Sequence, residues 1–258
     1  MSHHPHDGSA DDGLSGSLLR FIEEGRIAEL RQALSGFNHR CRNMLNSMKM
    51  GFYLTRRAST GPLPERWDDL NRTYQEVERL FDLMQSIYRT VALTTVRLPF
   101  RAVVDERGRC WRAAFEREGG TLAIRPPAQE VAGEFDAVRI ASALDGFVAW
   151  RASRLGPGGR ASLTWGTTRR HLEVSWTEAS PAVAIARPAA PQCPVASLAS
   201  TTRSLALPLL ARVVAEHHGR LSWTASPAAE ARLRWPLAVH QADPPAVHRP
   251  AALAPSLG

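Results

Sequence analysis

The sequence predicts an α+β fold in which a long antiparallel helical hairpin is followed by an α/β sandwich. Apolar residues first recur at helical spacing along two long segments, about 25–58 and 67–91. The stretch 59–64, which contains Gly61, Pro62 and Pro64, predicts the turn between them. After residue 95 the pattern changes to shorter helices alternating with strands, which favours a sheet covered on one face by helices.

The elements of the second part follow from local signals in order. Gly119-Gly120 and the segment Gly156-Pro-Gly-Gly159 interrupt the pattern and predict turns. Helices are predicted over 100–117, 136–154 and 205–218, and strands over 121–125, 161–165, 171–176, 220–224 and 231–235. The proline- and alanine-rich end of the chain, 239–258, predicts a disordered tail.

The two long helices predict a homodimer. A pair of helices this long cannot bury both apolar stripes unaided, and pairing two copies into a four-helix bundle is the simplest solution. The alternative is that the stripes pack on the second domain of the same chain. The length of the stripes favours the dimer.

Composition excludes several classes of function. The 258 residues are 44% hydrophobic, which is enough for packed cores, but no apolar run reaches the roughly 20 residues that cross a bilayer. The polar N-terminus lacks the apolar segment of a signal peptide, so we expect a cytoplasmic protein with no membrane partner. Despite a net charge of +7, the arginines are scattered and Lys49 is the only lysine, which argues against nucleic-acid binding. The three widely spaced cysteines predict free thiols, and no function is assigned to the N-terminal histidines.

His39 is the candidate for chemistry. At roughly 100° of rotation per residue, the apolar residues of the first long helix form one stripe, and His39 lies about half a turn from its centre. An exposed imidazole is largely uncharged at neutral pH and can accept a phosphoryl group or a proton. An exposed polar residue without a role would have the same position, so the neighbouring residues decide the interpretation.

The segment His39-Arg40-x-Arg42-Asn43-x-Leu45 resembles the phosphoacceptor H-box of bacterial sensor histidine kinases, in the subclass that reads His-Arg-x-Lys-Asn-x-Leu. In commoner subclasses an acidic residue follows the histidine. The resemblance implies that His39 is the nucleophile and that Asn43 positions the phosphoryl group or a water. Arg40 and Arg42 would offer positive charge to the phosphoryl oxygens.

The order of elements resembles the dimerisation and catalytic domains of the same family over about four-fifths of the chain. The resemblance implies four regions: an N-terminal tail (1–24), a dimerisation and histidine phosphotransfer hairpin (25–94), an ATPase-like sandwich (95–238) and the C-terminal tail (239–258). It also implies response-regulator receiver domains as partners.

The residues that bind ATP and Mg²⁺ in this family are mostly replaced. The two helical positions that usually carry asparagine, or glutamate and asparagine, fall on Gly146 and Trp150, and neither offers an oxygen ligand. Where the family reads Asp-x-Gly-x-Gly, with an aspartate that recognises the adenine amino group, Glu178 keeps a carboxylate but Ser180 and Ala182 replace the glycines. The glycine-rich box before the last long helix aligns with 202–207, which includes Ser204 and contains no glycine. A degenerate ATP-binding domain without a cofactor is therefore expected.

Three functions remain open. The first is a histidine phosphotransferase that relays phosphoryl groups through His39 between receiver domains. The second is a divergent kinase that phosphorylates His39 from ATP and Mg²⁺, for which Glu178 and Asp145 are the available carboxylates. The third is a non-catalytic dimeric scaffold in which His39 is an ordinary surface residue.

Overall fold

The computed structural model describes residues 10–90, 92–179, 201–225 and 229–238. Val91, Ser180, Ala182, the N-terminal histidines and the predicted C-terminal tail lie outside this part of the chain. The helices are α1 (Ala10–Glu23), α2 (Ile27–Ala58), α3 (Trp67–Tyr88), α4 (Phe100–Arg117), α5 (Ala137–Leu155) and α6 (Ala206–Glu216). The strands are β1 (Val96–Pro99), β2 (Thr121–Arg125), β3 (Ala132–Phe135), β4 (Arg160–Thr168), β5 (His171–Ala179), β6 (Arg220–Thr224) and β7 (Glu230–Pro236).

The main sheet has the strand order β2-β4-β5-β7-β6. β2 pairs with β4 in parallel, and the other neighbours are antiparallel. Every second residue of β5 and β7, and of β4 as far as Trp165, is buried, as the alternating sequence predicts. Helices α4, α5 and α6 pack together over this face, so the mixed α+β architecture is confirmed.

The core between sheet and helices is rich in aromatic residues. Phe147 of α5 meets the indole of Trp176 edge-on, with ring centroids 5.3 Å apart. Phe100, at the start of α4, packs against Phe135 and Trp235. Because helices and sheet interlock through these large side chains, the position of α5 is tightly fixed.

A short ladder that the sequence does not predict stands beside the main sheet. β1 and β3 pair in antiparallel fashion, with Val96 opposite Phe135 and Pro99 opposite Ala132. Each strand has only four residues and includes a proline or a glycine, which weakens the alternating signal on which a strand prediction depends.

Helix α1 is also unforeseen, because it lies in the region predicted as an N-terminal tail. Its residues Leu18 and Ile22 are buried in a second apolar cluster that includes Leu205 and Ala211. The hydroxyl of Ser15 donates to the carbonyl oxygen of Ser204 at 3.1 Å. α1 is rich in Gly, Ser and Asp, which have weak helix propensity, so its packing on α6 and the ends of α2 and α3 is what stabilises it.

Helices α2 and α3 begin and end close to the predicted positions and run in opposite directions. Phe52 meets Trp67 near the connecting turn, and its ring centroid lies 5.4 Å from that of Tyr74. Further along, Lys49 pairs with Glu78 at 3.0 Å. These contacts hold one side of α2 against α3 and leave its other sides exposed.

Candidate functional site

His39 is exposed on α2, as the helical phase predicts, and it lines a cleft of about 510 Å³ between α2 and α3. α2 carries it as part of an uninterrupted helix of 32 residues, so the backbone beneath it is regular. The other residues that line the cleft are Arg31, Ser35, Asn38, Arg42, Gln85, Tyr88 and Arg89. Within the described part of the chain, the imidazole makes no hydrogen bond.

Three guanidinium groups give the cleft a positive charge. Arg31 donates to the hydroxyl of Thr90. Arg42 donates to the side-chain oxygen of Gln85 at 2.7 Å and to the carboxylate of Asp82 at 3.2 Å. Arg89 has no ion-pair partner among the described residues. Cations arranged in this way favour an anion beside His39.

The residues that the H-box resemblance singles out are not all brought together. Asn43 follows His39 by one helical turn on a neighbouring exposed position, but it does not line the cleft. Arg40 is exposed about 100° around the helix from His39 and also lies outside the cleft. Of the predicted set, only His39 and Arg42 share the cleft, and Arg42 is already engaged by α3.

The cleft contains residues from α3 that sequence reasoning missed. Tyr88 is almost fully buried there, beside the side chain of Asn38. Burial raises the pKa of Tyr88 and outweighs the lowering by Asn38, so the hydroxyl keeps its proton at neutral pH. Gln85 and Tyr88 are spaced by three residues in the last turn of α3, and that spacing is the one signal that could have grouped them on a face.

The two positions that the resemblance aligns with the family's Mg²⁺ ligands do not fit a hard cation. Gly146 offers no side chain, and Trp150 is buried beside Phe147, with ring centroids 6.0 Å apart. The nearest carboxylate in sequence, Asp145, accepts a hydrogen bond from the indole of Trp111 at 2.7 Å on α4. Among the described residues, no cluster of three or more His, Cys, Asp or Glu side chains could hold a metal ion.

Glu178, the carboxylate expected to recognise adenine, is occupied by side chains of the same chain. Arg151 approaches it in a bidentate geometry, with Nε and Nη2 each 2.6 Å from a carboxylate oxygen. The indole of Trp176 donates to the same carboxylate at 2.7 Å. The guanidinium of Arg151 also stacks on Trp150 and Trp223, at 4.6 and 5.0 Å from the ring centroids. A planar cation therefore fills the space in front of Glu178.

The segment that replaces the glycine-rich box is closed from the outside by α1. The Ser204 hydroxyl donates to the carbonyl oxygen of Thr201 at 2.9 Å, and the Ser204 carbonyl accepts from Ser15. Leu205 is fully buried beside Leu18. The carbonyl oxygens of Thr201 and Ser204 are therefore paired within the protein.

The described helices include none that is both long enough and apolar enough to cross a membrane. No protein-family model matches the sequence. No curated protein sequence matches it either.

The structure is similar to solved histidine kinases. Against Acinetobacter baumannii histidine kinase AdeS, the TM-score is 0.50 at 13% identity, with 77% of this chain and 98% of that chain covered. For full-length ShkA in complex with AMPPNP, the TM-score is 0.56 at 16% identity, with 80% of this chain and 45% of that chain covered. For histidine kinase ThkA in complex with the response regulator protein TrrA, the TM-score is 0.55 at 14% identity, with 86% of this chain and 67% of that chain covered. At these identities the likeness concerns the fold, and this chain has the fold of the histidine kinases of two-component systems.

Proposed function

We propose that this protein relays phosphoryl groups through His39 between the receiver domains of response regulators and that it does not draw phosphate from ATP. The observation that carries the proposal is the position of His39, exposed at a cleft that Arg31, Arg42 and Arg89 make positive. An aspartyl phosphate on a docked receiver is an anion that such a cleft attracts. The ThkA structure, which holds a response regulator, supports this class of partner.

The transfer step is a displacement at phosphorus. The lone pair of His39 Nε2 attacks the phosphorus of the receiver's aspartyl phosphate, so that an N–P bond forms as the P–O bond to the aspartate breaks. The aspartate leaves as a carboxylate. The cationic side chains Arg42 and Arg89 stabilise the charge on the phosphoryl oxygens. Transfer to a second receiver reverses these bonds with a different aspartate.

The arrangement around Glu178 favours a relay over a kinase. To recognise adenine, the Glu178 carboxylate would have to break its hydrogen bonds with Arg151 and Trp176. All three of these hydrogen bonds are short, so they compete strongly with a nucleotide base. Gly146 and Trp150 supply no oxygen for Mg²⁺. The sandwich is therefore proposed to be a degenerate ATPase domain that retains the fold and needs no cofactor.

The exposed apolar residues of α2 support a homodimer built as a four-helix bundle from two helical hairpins. Phe37, Met44 and Met48 are 53%, 65% and 47% exposed, although they belong to the predicted apolar stripe. The described part of the second domain does not cover them. A second copy that packs its α2 and α3 on this stripe would bury them and leave both His39 side chains outside.

A transfer experiment tests the relay. The full chain is mixed with a receiver domain phosphorylated on aspartate, and acid-labile, alkali-stable phosphate is measured on the chain. Labelling is expected for the parent and for His171→Gln, which removes another exposed histidine, and it should be absent in His39→Gln. Equal labelling of the parent and His39→Gln, or none in either, would favour the scaffold.

A second arm separates relay from kinase. The purified chain is incubated with radiolabelled ATP and Mg²⁺ in the absence of any receiver. No phosphohistidine is expected, because the adenine carboxylate is occupied and the metal positions lack oxygen. ATP-dependent label that disappears in His39→Gln would show that the protein is an active kinase.

A further inference from the structure

A second cleft, of about 410 Å³, lies where α3 meets the sandwich. It is lined by α4, α5 and α6 and by the helical segment 201–204, and α3 closes it from the other side. Gly146 and Trp150, which replace the family's metal-binding residues, contribute to its wall, but His39 does not. The cleft is separate from the phosphotransfer site.

The charge of this cleft is positive. Arg79, Arg117 and Arg203 line it, whereas Glu118 is the only carboxylate among the described residues of its wall. Arg79 pairs with Glu76 at 2.6 Å. Arg117 and Arg203 have no hydrogen-bond or ion-pair partner within the described part of the chain. Two uncompensated guanidinium groups at one opening favour an anionic ligand.

The rest of the wall is apolar and shaped by small side chains. Ala149 and Ala206 leave space beside the indole of Trp150, and a Cβ at Gly146 would only just touch Ala206, at 3.7 Å. Trp150 is held from its other side by Arg151 and Trp223. A rigid aromatic edge beside short side chains suits a flat apolar body.

We propose that this cleft binds a small organic anion with a planar apolar body and that it does so without a metal ion. The guanidinium groups of Arg117 and Arg203 bind the anionic group, and Trp150 with the neighbouring alanines contacts the ring system. A metal is not needed because arginine balances the ligand charge, and the described wall of the cleft offers one carboxylate for a cation. This binding does not depend on phosphotransfer by His39.

The ligand would also join two parts of the chain. Arg79 and Leu83 come from α3, whereas the other contacts come from the sandwich and from the segment before α6. Because the occupant contacts both, its binding raises the free energy of unfolding of the whole chain. Occupancy is thereby coupled to the placement of α3 against the sandwich.

The probe for the test is 8-anilinonaphthalene-1-sulfonate, an aromatic sulfonate whose fluorescence rises on binding. Titration of the full chain in the presence of EDTA is expected to give saturable binding at one site per chain. Ala149→Glu places a carboxylate in the cleft at an exposed helical position, and Arg117→Ala with Arg203→Ala removes the cations. Each variant should weaken binding about tenfold or more, since a hydrogen bond to a charged group accounts for at least that factor.

Matched variants and competitors complete the design. Arg109→Ala removes an exposed arginine of α4 outside the cleft, and His39→Gln removes the phosphoacceptor; both should bind as the parent does. 2-Naphthoate should displace the probe at least tenfold better than 2-naphthylmethanol, which lacks the charge. The proposal is overturned if the cleft variants bind like the parent. It is equally overturned if Met44→Glu abolishes binding, because the probe would then occupy the exposed stripe of α2.

Discussion

Arg151 and Glu178 form a buried bidentate ion pair between α5 and the end of β5, with both N–O distances at 2.6 Å. The Arg151 side chain is 11% exposed and the Glu178 side chain 3%. The carboxylate that would face a nucleotide in a kinase-like sandwich is thus buried and paired with a side chain of the same domain. The stacking of the guanidinium on Trp150 and Trp223 extends the same cluster to β6.

Removing the cation from this pair is expected to destabilise the domain strongly. In Arg151→Ala the Glu178 carboxylate stays buried and keeps only the indole of Trp176 as a donor. Loss of one partner from a buried pair costs about 3–5 kcal/mol. Urea unfolding monitored by tryptophan fluorescence measures the change, and Arg109→Ala, an exposed arginine on α4, should stay within about 0.5 kcal/mol of the parent.

A double variant distinguishes charge burial from loss of packing. Arg151→Met with Glu178→Gln removes both charges, keeps an acceptor for Trp176 and fills most of the volume. It should recover a substantial part of the stability lost in Arg151→Ala, because no buried charge remains unpaired. A double variant no more stable than Arg151→Ala would mean that the ion pair itself contributes the stability.

The sequence predicts α4 to α6 and the strands of the main sheet well because each has a strong local signal. α5 begins after Asp136, whose carboxylate accepts from the backbone N–H of Arg139, and Gly156 at φ 63° follows its last residue. α1 lacks such a signal. Its stability comes from Leu18 and Ile22 packing on residues almost 200 positions away, which no local pattern encodes.

The same distinction holds at the candidate sites. The exposure of His39 follows from helical phase alone, and the lack of an oxygen ligand at Gly146 follows from the residue type alone. The role of Arg151 does not, because its partner lies 27 residues away on a strand and its stacking partner Trp223 comes from another. Arg89 enters the His39 cleft only because the end of α3 lies beside the middle of α2.

His217 makes stability depend on pH. It is buried at the end of α6. Its Nε2 accepts a hydrogen bond from the backbone N–H of Asp136 at 2.9 Å, and its Nδ1 lies 2.7 Å from the carbonyl oxygen of Val213. Accepting at Nε2 requires the neutral ring with its proton on Nδ1. Burial lowers the pKa of His217 below its usual 6.5, against opposing contributions from Val213, Asp136 and Glu216.

The sign of the effect follows from this depressed pKa. Below about pH 6.5 the unfolded chain binds a proton at His217 that the folded chain does not, so the free energy of unfolding falls by up to about 1.4 kcal/mol per pH unit. The loss ends at the pKa of the folded state. The amide of His217→Gln can still accept a hydrogen bond from the Asp136 N–H and donate one to the Val213 carbonyl, but it does not titrate. Urea unfolding between pH 7.5 and 5 should therefore show a shallower slope for His217→Gln, whereas His171→Gln should match the parent.

Arg89 is expected to assist phosphotransfer without affecting the fold. It is exposed, lines the cleft of His39 and has no described ion-pair partner to lose. Arg89→Ala should slow transfer from a phosphorylated receiver about tenfold, since one cationic contact to the phosphoryl oxygens is removed. Arg40→Ala is the matched variant, because Arg40 is equally exposed but lies outside the cleft, and it should transfer at close to the parent rate. Equal slowing in both would indicate that general surface charge, rather than the cleft, sets the rate.

The exposed stripe of α2 predicts a dimer that a single charge can separate. Phe37, Met44 and Met48 lie within an arc of about 40°, and His39 lies about 160° from its centre. Burying this arc against a second copy therefore leaves the phosphoacceptor accessible.

Met44→Glu would place a carboxylate in that interface without a partner, and it should convert a dimer into a monomer in sedimentation velocity. Met50→Glu alters a methionine of similar exposure on another face of the same helix, so it should leave the dimer intact. A parent chain that sediments as a monomer, or loss of the dimer in Met50→Glu alone, would contradict this interface.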